Sequence, residues 1–255
     1  MLNTPRNNLN KVLVLNPKGG CGKSTLATNL AAWYAQQGPA PTMMDYDPQG
    51  STMAWLGRRP DELPRIHGIA AFKQSLHATR SWQLRVPRET VNLVIDSPAS
   101  IDHHDLRDLT RDATSILVPV LPSAMDIHAA SRCIADLLLV AKVDRRDRKL
   151  AVVANRTRKN TKSFSKLMRF LDSLGIPIIA VLRDSQNFVY AAEHGVGLCE
   201  MQPSRVKPDL EQLQKIVEWL DAWPERRQER ASISNIGRKP RFGPGMLRRR
   251  TVGSA

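Results

Sequence analysis

The chain has 255 residues, 42% of them apolar and 24% charged, and carries a formal net charge of +14. That length allows one large domain or two small ones, and the composition is that of a folded globular chain, which excludes disorder throughout and a fibrous repeat. No run approaches the roughly 18 uninterrupted apolar residues of a membrane-spanning helix, the opening MLNTPRNNLN is too polar for a secretory signal, and three scattered cysteines (Cys21, Cys133, Cys199) are too few for a disulfide framework or a zinc site, which points to a reducing, intracellular compartment.

Short apolar runs alternate with longer helical patterns. Residues 11–16 (KVLVLN) form a buried-strand run, and 25–37 read as a helix ended by Gly38-Pro39. Residues 42–45 read as a strand and 51–56 as a short helix. The segment 57–90, rich in Pro, Arg and His, has weak periodicity and receives no assignment. Residues 91–96 and 115–121 are strands, 125–140 a helix, 150–155 a strand, 163–174 a helix stopped by Gly175, and 178–182 a strand. Helices at 185–194 and 210–220 close the pattern. Strands spaced by helices build βαβ units, so the expected fold is α/β, a doubly wound, mostly parallel sheet with helices on both faces. Such sheets take their ligands beyond the carboxyl ends of the strands. The expected organisation is a disordered segment 1–10, a nucleotide-binding domain over 11–223, and a basic tail over 224–255 with too little apolar content to bury.

The charge is concentrated in two zones. Residues 142–169 hold eleven basic and two acidic side chains, and residues 225–255 hold nine basic and two acidic. The remainder is close to neutral. Clustered basic groups gain affinity for a polyanion by releasing its condensed counterions, so nucleic acid or an anionic membrane is the leading explanation for the pair of zones. A solvated surface with a charged tail is the alternative.

The strand at 11–16 runs directly into Pro17-Lys18-Gly19-Gly20-Cys21-Gly22-Lys23-Ser24, and a helix follows. Strand, glycine-rich turn and helix together are the context of a phosphate-binding loop. Glycines let the backbone curl so that successive N–H groups point at phosphate oxygens, and the helix N-terminus adds partial positive charge. In that setting Gly19, Gly20, Cys21, Gly22, Lys23, Ser24 and Thr25 cradle the phosphates. Lys23 reaches the β- and γ-phosphates, the Ser24 hydroxyl ligates Mg²⁺, and Thr25 donates to the α-phosphate. Pro17 stands where the ordinary consensus has glycine. An ordinary tight βα connection is the alternative reading of the glycines, and a small filler is the plain reading of Cys21.

This loop resembles the deviant Walker A motif of the ParA/MinD family of positioning ATPases. Asp45-Tyr46-Asp47-Pro48-Gln49-Gly50-Ser51 resembles the family's switch I, and Asp96-Ser97-Pro98 its Walker B strand and the start of switch II. Asn155-Arg156 and Leu182-Arg183-Asp184 resemble the segments around adenine. The resemblance implies ATP and Mg²⁺ as cofactors, Asn155, Arg156 and Arg183 as adenine contacts, and Asp96 as a metal-shell residue acting through water. It makes Asp47 the residue that orients attacking water, and lets Asp45 support the metal shell. Lys18 would cross an ATP-sandwiched homodimer to reach the partner's phosphates. Each carboxylate has a turn or capping role as its alternative.

Switch II departs from the family pattern, reading Ala99-Ser100-Ile101-Asp102-His103-His104-Asp105 without glycine. A metal cluster there finds no further His or Cys at zinc-ligand spacing, and a polar helix entrance explains those residues. An iron–sulfur carrier would need paired bridging cysteines that the sequence lacks. The family resemblance implies a cytoplasmic, nucleoid-associated bacterial ATPase. Its ATP-bound dimer would hold non-specific double-stranded DNA through Arg158, Lys159, Lys162, Lys166 and Arg169, and a ParB-like adaptor would stimulate hydrolysis and release. The first strand starts too early for an amino-terminal helix-turn-helix before it, a short form that resembles chromosomal, small-plasmid and orphan members; the expected cargo is a protein organelle such as a carboxysome, or else a plasmid or chromosome. The alternative is a MinD-like ATPase on the membrane surface, for which Met246-Leu247 before Arg248-Arg249-Arg250 offers little apolar area.

Overall fold

The computed structural model describes residues 9–73 and 86–224, so most of the expected basic tail and the first eight residues lie outside the described residues. Among the described residues, seven strands pair only in parallel: β1 (Asn10–Val14), β2 (Thr42–Asp45), β3 (His67–Ala70), β4 (Asn92–Asp96), β5 (Ser115–Val120), β6 (Leu150–Thr157) and β7 (Ile178–Arg183). Their order across the sheet is β3-β2-β4-β1-β5-β6-β7. The helices are α1 (Lys23–Ala35), α2 (Ser51–Leu56), α3 (His103–Arg111), α4 (Ala124–Leu139), α5 (Lys162–Ser173), α6 (Gln186–His194) and α7 (Pro203–Asp221). The α/β doubly wound expectation is met by this arrangement, with every strand pair parallel.

Alternation along the strands sorts the core into two layers, because successive side chains leave a strand on opposite faces. Leu13, Ile95, Ile116 and Val118 face Leu106 of α3, Ile134 and Leu137 of α4 and Leu167 of α5. Val12, Val14, Val94, Leu117 and Val153 face Leu26 and Leu30 of α1 and Leu213, Ile216 and Val217 of α7. Both faces of the sheet are therefore dry, as an all-parallel sheet requires.

The winding direction reverses at β1. From there the chain moves outward to β2 and β3, returns to insert β4 between β2 and β1, then continues on the other side of β1 with β5. Val14 stands opposite Asp96 and Asp45 opposite Asp96 in the register. The loops after β1, β2 and β4 thus leave one edge of the sheet side by side.

Four elements differ from expectation. β3 has no counterpart in the sequence reading, and α3 extends the polar helix entrance read at 102–105 into a nine-residue helix. β3 is a four-residue edge strand in the unassigned segment, and α3 is a polar helix started by Asp102, whose carboxylate accepts the Asp105 N–H at 2.8 Å. That bond is the main reason the Asp102 carboxyl sits below its usual range. α7 begins at Pro203, seven residues before its expected start, and carries Pro208 in its interior. β1 takes in Asn10, which the sequence reading assigns to the unstructured segment. Among the described residues, no helix is long and apolar enough to cross a membrane.

Candidate functional site

The loop between β1 and α1 is set by Asn16, which is fully buried. Its amide donates to the Pro119 carbonyl at the end of β5 at 2.7 Å, and its side-chain oxygen accepts the Lys18 N–H at 2.9 Å. Gly20 and Gly22 then take φ of 77° and 95°, left-handed values that L side chains adopt at a cost. A Cβ on Gly19 or Gly20 would meet no atom within 4 Å, so this part of the loop forms an open cradle; a Cβ on Gly22 would overlap the Asn155 side-chain amide. Lys23 is buried, and its Nζ donates to the Lys18 carbonyl at 3.3 Å. Cys21 is fully buried, and burial pushes its thiol up, so its contribution to the cradle is backbone.

Asp96 ends β4 fully buried, and neither of its oxygens has a hydrogen-bond partner. Burial raises its carboxyl to about 7; the nearby Ser24 hydroxyl opposes the shift, Asp45 adds to it, and Lys23 opposes it. An orphaned buried carboxylate near a serine hydroxyl fits Mg²⁺, a hard cation that takes oxygen ligands and usually keeps waters and substrate phosphates for the rest of its shell. Among the described residues, no group of three or more His, Cys, Asp or Glu is placed to hold a metal by itself. The two protein oxygens therefore suit a metal that arrives with its nucleotide.

The two aspartates after β2 differ in their surroundings. Asp45 is fully buried, and its Oδ1 accepts the Asp47 N–H at 2.9 Å. Its Oδ2 accepts the Thr52 hydroxyl at 2.6 Å and the N–H groups of Thr52 and Met53 at 3.2 and 3.3 Å. These bonds close the first turn of α2 and give Asp45 a capping role, the alternative to the metal shell that its sequence position leaves open. Asp47 instead lines the groove opposite the phosphate loop, with one oxygen accepting the Gln49 N–H at 3.0 Å.

The groove has two ends. A phosphate end of about 610 Å³ is lined by Gly19, Lys23, Ser24, Asp47 and Pro98 among others. A second end of about 540 Å³ shares Gly20, Gly22 and Thr25 with it and extends past Asn155, Arg156, Asp184 and α6. Asn155 is strapped against the loop, its amide donating to the Cys21 carbonyl at 2.8 Å. Asp184 accepts Arg158 Nη2 at 2.8 Å and Arg156 Nε at 3.3 Å, which holds its carboxyl below the usual range.

Arg183, expected at adenine, has a second set of partners. It is absent from the groove lining, and its guanidinium turns to α7, where both nitrogens of its fork donate to Asp209. Ser185 and Asn187 donate to the same carboxylate at 2.9 and 2.6 Å. Burial would raise the Asp209 carboxyl, but these donors outweigh it and hold it low. The Arg183 guanidinium is thus a buckle between β7 and α7. Asp209→Ala leaves these donors without their acceptor, and we expect it to lower unfolding free energy by about 2–4 kcal/mol. A shifted urea midpoint at unchanged slope will show it.

Of the five residues expected on DNA, Lys162, Lys166 and Arg169 share the exposed face of α5 while Leu167 and Leu171 face the sheet. Lys159 is exposed in the preceding turn, and Arg158 is partly neutralised by Asp184. Sequence reasoning missed Asn16, although a polar residue closing an apolar strand just before a glycine-rich loop is a usable signal. It also missed Ser185 and Arg58, which line the second end of the groove; Arg58 lies in the unassigned segment.

Residues 12–198 match the CobQ/CobB/MinD/ParA nucleotide binding domain. The chain is 29% identical over 166 residues to the maintenance of carboxysome distribution protein A of Halothiobacillus neapolitanus, a match spanning 65% of this chain and 75% of that protein. Among solved structures it resembles apo McdA of Cyanothece, with a TM-score of 0.66 and 16% identity over 83% of this chain and 99% of that one. An ATP complex of a Cyanothece McdA variant superposes with a TM-score of 0.63, 16% identity, and coverage of 86% and 96%.

Proposed function

The chain belongs to the CobQ/CobB/MinD/ParA nucleotide binding domain family, and from that premise we propose that it is an ATP-hydrolysing positioning protein of the ParA type. The observation that carries the reading is the groove itself. An open glycine cradle between Lys18 and Lys23 faces Asp47, with the unpartnered Asp96 carboxylate buried beneath it. Phosphoryl transfer needs little covalent help from a protein; it needs charge neutralisation and a positioned nucleophile. The loop N–H groups and Lys23 bind the β- and γ-phosphates, Ser24 and Asp96 hold the Mg²⁺ that neutralises charge on them, and Asp47 orients the attacking water. Lys18 serves a second copy across an ATP-dependent dimer.

In this reading the dimer holds nucleoid DNA without sequence preference through the α5 face and Lys159. An adaptor protein stimulates hydrolysis and so releases the dimer. The cargo is a protein organelle of the carboxysome kind, a choice supported by the similarity to carboxysome-distribution proteins.

Binding of the purified protein to non-specific duplex DNA with ATP, ADP or no nucleotide, across a salt series, tests the proposal. We expect binding that requires ATP, is lost in Lys18→Ala, and falls steeply with salt, because two copies of the basic face double the phosphate contacts. Binding indifferent to nucleotide would overturn it, as would binding to anionic liposomes without binding to DNA.

A further inference from the structure

The far end of the groove has a wall built by Arg58 and α6. Arg58 follows α2, its own N–H bonded to the Trp55 carbonyl at 3.0 Å, and its side chain lines the groove together with Phe188, Val189 and Glu193 of α6. Its Nη2 donates to the Ala192 carbonyl, in the last turn of that helix, at 3.2 Å.

The backbone that carries Arg58 is held on both sides. Trp55 is buried, and its indole N–H is shared between the Ala191 and Val196 carbonyls at 3.3 Å each. Arg59 pairs with Glu200 in an ion pair whose side chains are 5% and 0% exposed, and it lies 5.5 Å from the centroid of the Trp55 ring. Gly195, at φ 68°, lies so close to the Arg58–Arg59 peptide that a Cβ there would collide with its backbone. Arg58 is thus an exposed, planar cation on a rigid mount, facing a cleft that has an apolar side and that opens into the phosphate cradle.

We infer that Arg58 is a specificity-determining residue of the nucleotide site, stacking its guanidinium on the heterocyclic base. A flat, weakly hydrated guanidinium stacks on aromatic faces in a way that an ammonium does not. The inference rests on the nucleotide-binding reading of the same groove and adds to it the side chain that recognises the base.

The test compares two probes that differ by the presence of a base, Mg·ATP and Mg·tripolyphosphate. Calorimetric titration of the full chain should show Arg58→Ala weakening ATP about tenfold while tripolyphosphate binds as in the unchanged protein. Arg58→Lys should recover less than half of that loss, because it restores charge without the plane. ATP affinity unchanged in Arg58→Ala would overturn the inference, and so would equal weakening of both probes, which marks a disturbed clasp. Failure of the unchanged protein to bind either probe would instead overturn the nucleotide reading, so the two failures are distinguishable.

Discussion

Gly22→Ala should abolish nucleotide binding and lower unfolding free energy by about 2–4 kcal/mol, an estimate from backbone strain plus a lost buried hydrogen bond. The residue sits at φ 95°, outside the regions an alanine occupies freely. The added methyl would also overlap the Asn155 amide, which must move and so release the Cys21 carbonyl at the bend of the loop. Both effects act on the same turn. Gly19→Ala is the control, since a Cβ there meets nothing within 4 Å. It should leave stability within about 0.5 kcal/mol, as surface changes usually do, yet weaken ATP, because the methyl fills space that the phosphates take. Urea unfolding and titration with a fluorescent ATP analogue separate the two outcomes. Equal stability losses in both variants would show that the Asn155 strap is not what shapes the loop.

The second large effect is expected at Asp96. Its carboxyl, raised from 3.8 to about 7 chiefly by burial, keeps its proton in the folded chain over a range where the unfolded chain has lost it. The free protein therefore loses stability as pH rises from about 4 to about 7, by an amount on the order of 4 kcal/mol from the size of the shift, and the slope ends once the folded group also ionises. Asp96→Asn should flatten that slope and stabilise the nucleotide-free protein at pH 8. The same change should cut Mg²⁺-dependent hydrolysis by about a hundredfold or more, since each 1.36 kcal/mol of lost transition-state stabilisation is a factor of ten. Urea unfolding between pH 5 and 8, with and without Mg·ATP, checks the first claim, and initial phosphate release checks the second. Parallel stability profiles for the two proteins would exclude Asp96 as the titrating group.

The parts of the site legible in the sequence are those whose chemistry is local. Lys18 to Thr25 declare a phosphate loop because strand, glycines, lysine and helix follow one another within a few residues, and Asp96 stands out as a carboxylate ending an apolar strand. Asp45 was harder, because a strand-terminal aspartate looks the same whether it serves a metal or a helix. The Thr52 hydroxyl that claims it lies seven residues away and has no periodic mark. Arg183 was illegible for a non-local reason: its partner Asp209 is 26 residues further on, in a part of α7 that Pro208 made look non-helical. Arg58 belongs to the same class, since only the fold brings its side chain to α6. α3 showed only as a polar helix entrance, because His103, His104, Asp105 and Arg107 outnumber its two buried leucines. β3 hid because no residue of HGIA is fully buried.

The insertion of β4 between β2 and β1 bears on when this protein becomes competent during its synthesis. Until β4 emerges, β1 and β2 have no common neighbour, so the loop carrying Lys23 and the loop carrying Asp47 cannot be held in register. At about 5–20 residues per second, the roughly 80 residues from the end of β1 to the end of β4 take several seconds to be made. During that interval the nascent chain holds a glycine-rich loop with no carboxylate beneath it. Parallel pairing across such separations is also slow to form. A ribosome stalled before Ile95 therefore presents a chain with a recognisable phosphate loop and no assembled groove, and ATP added to such complexes should not protect the chain from proteolysis.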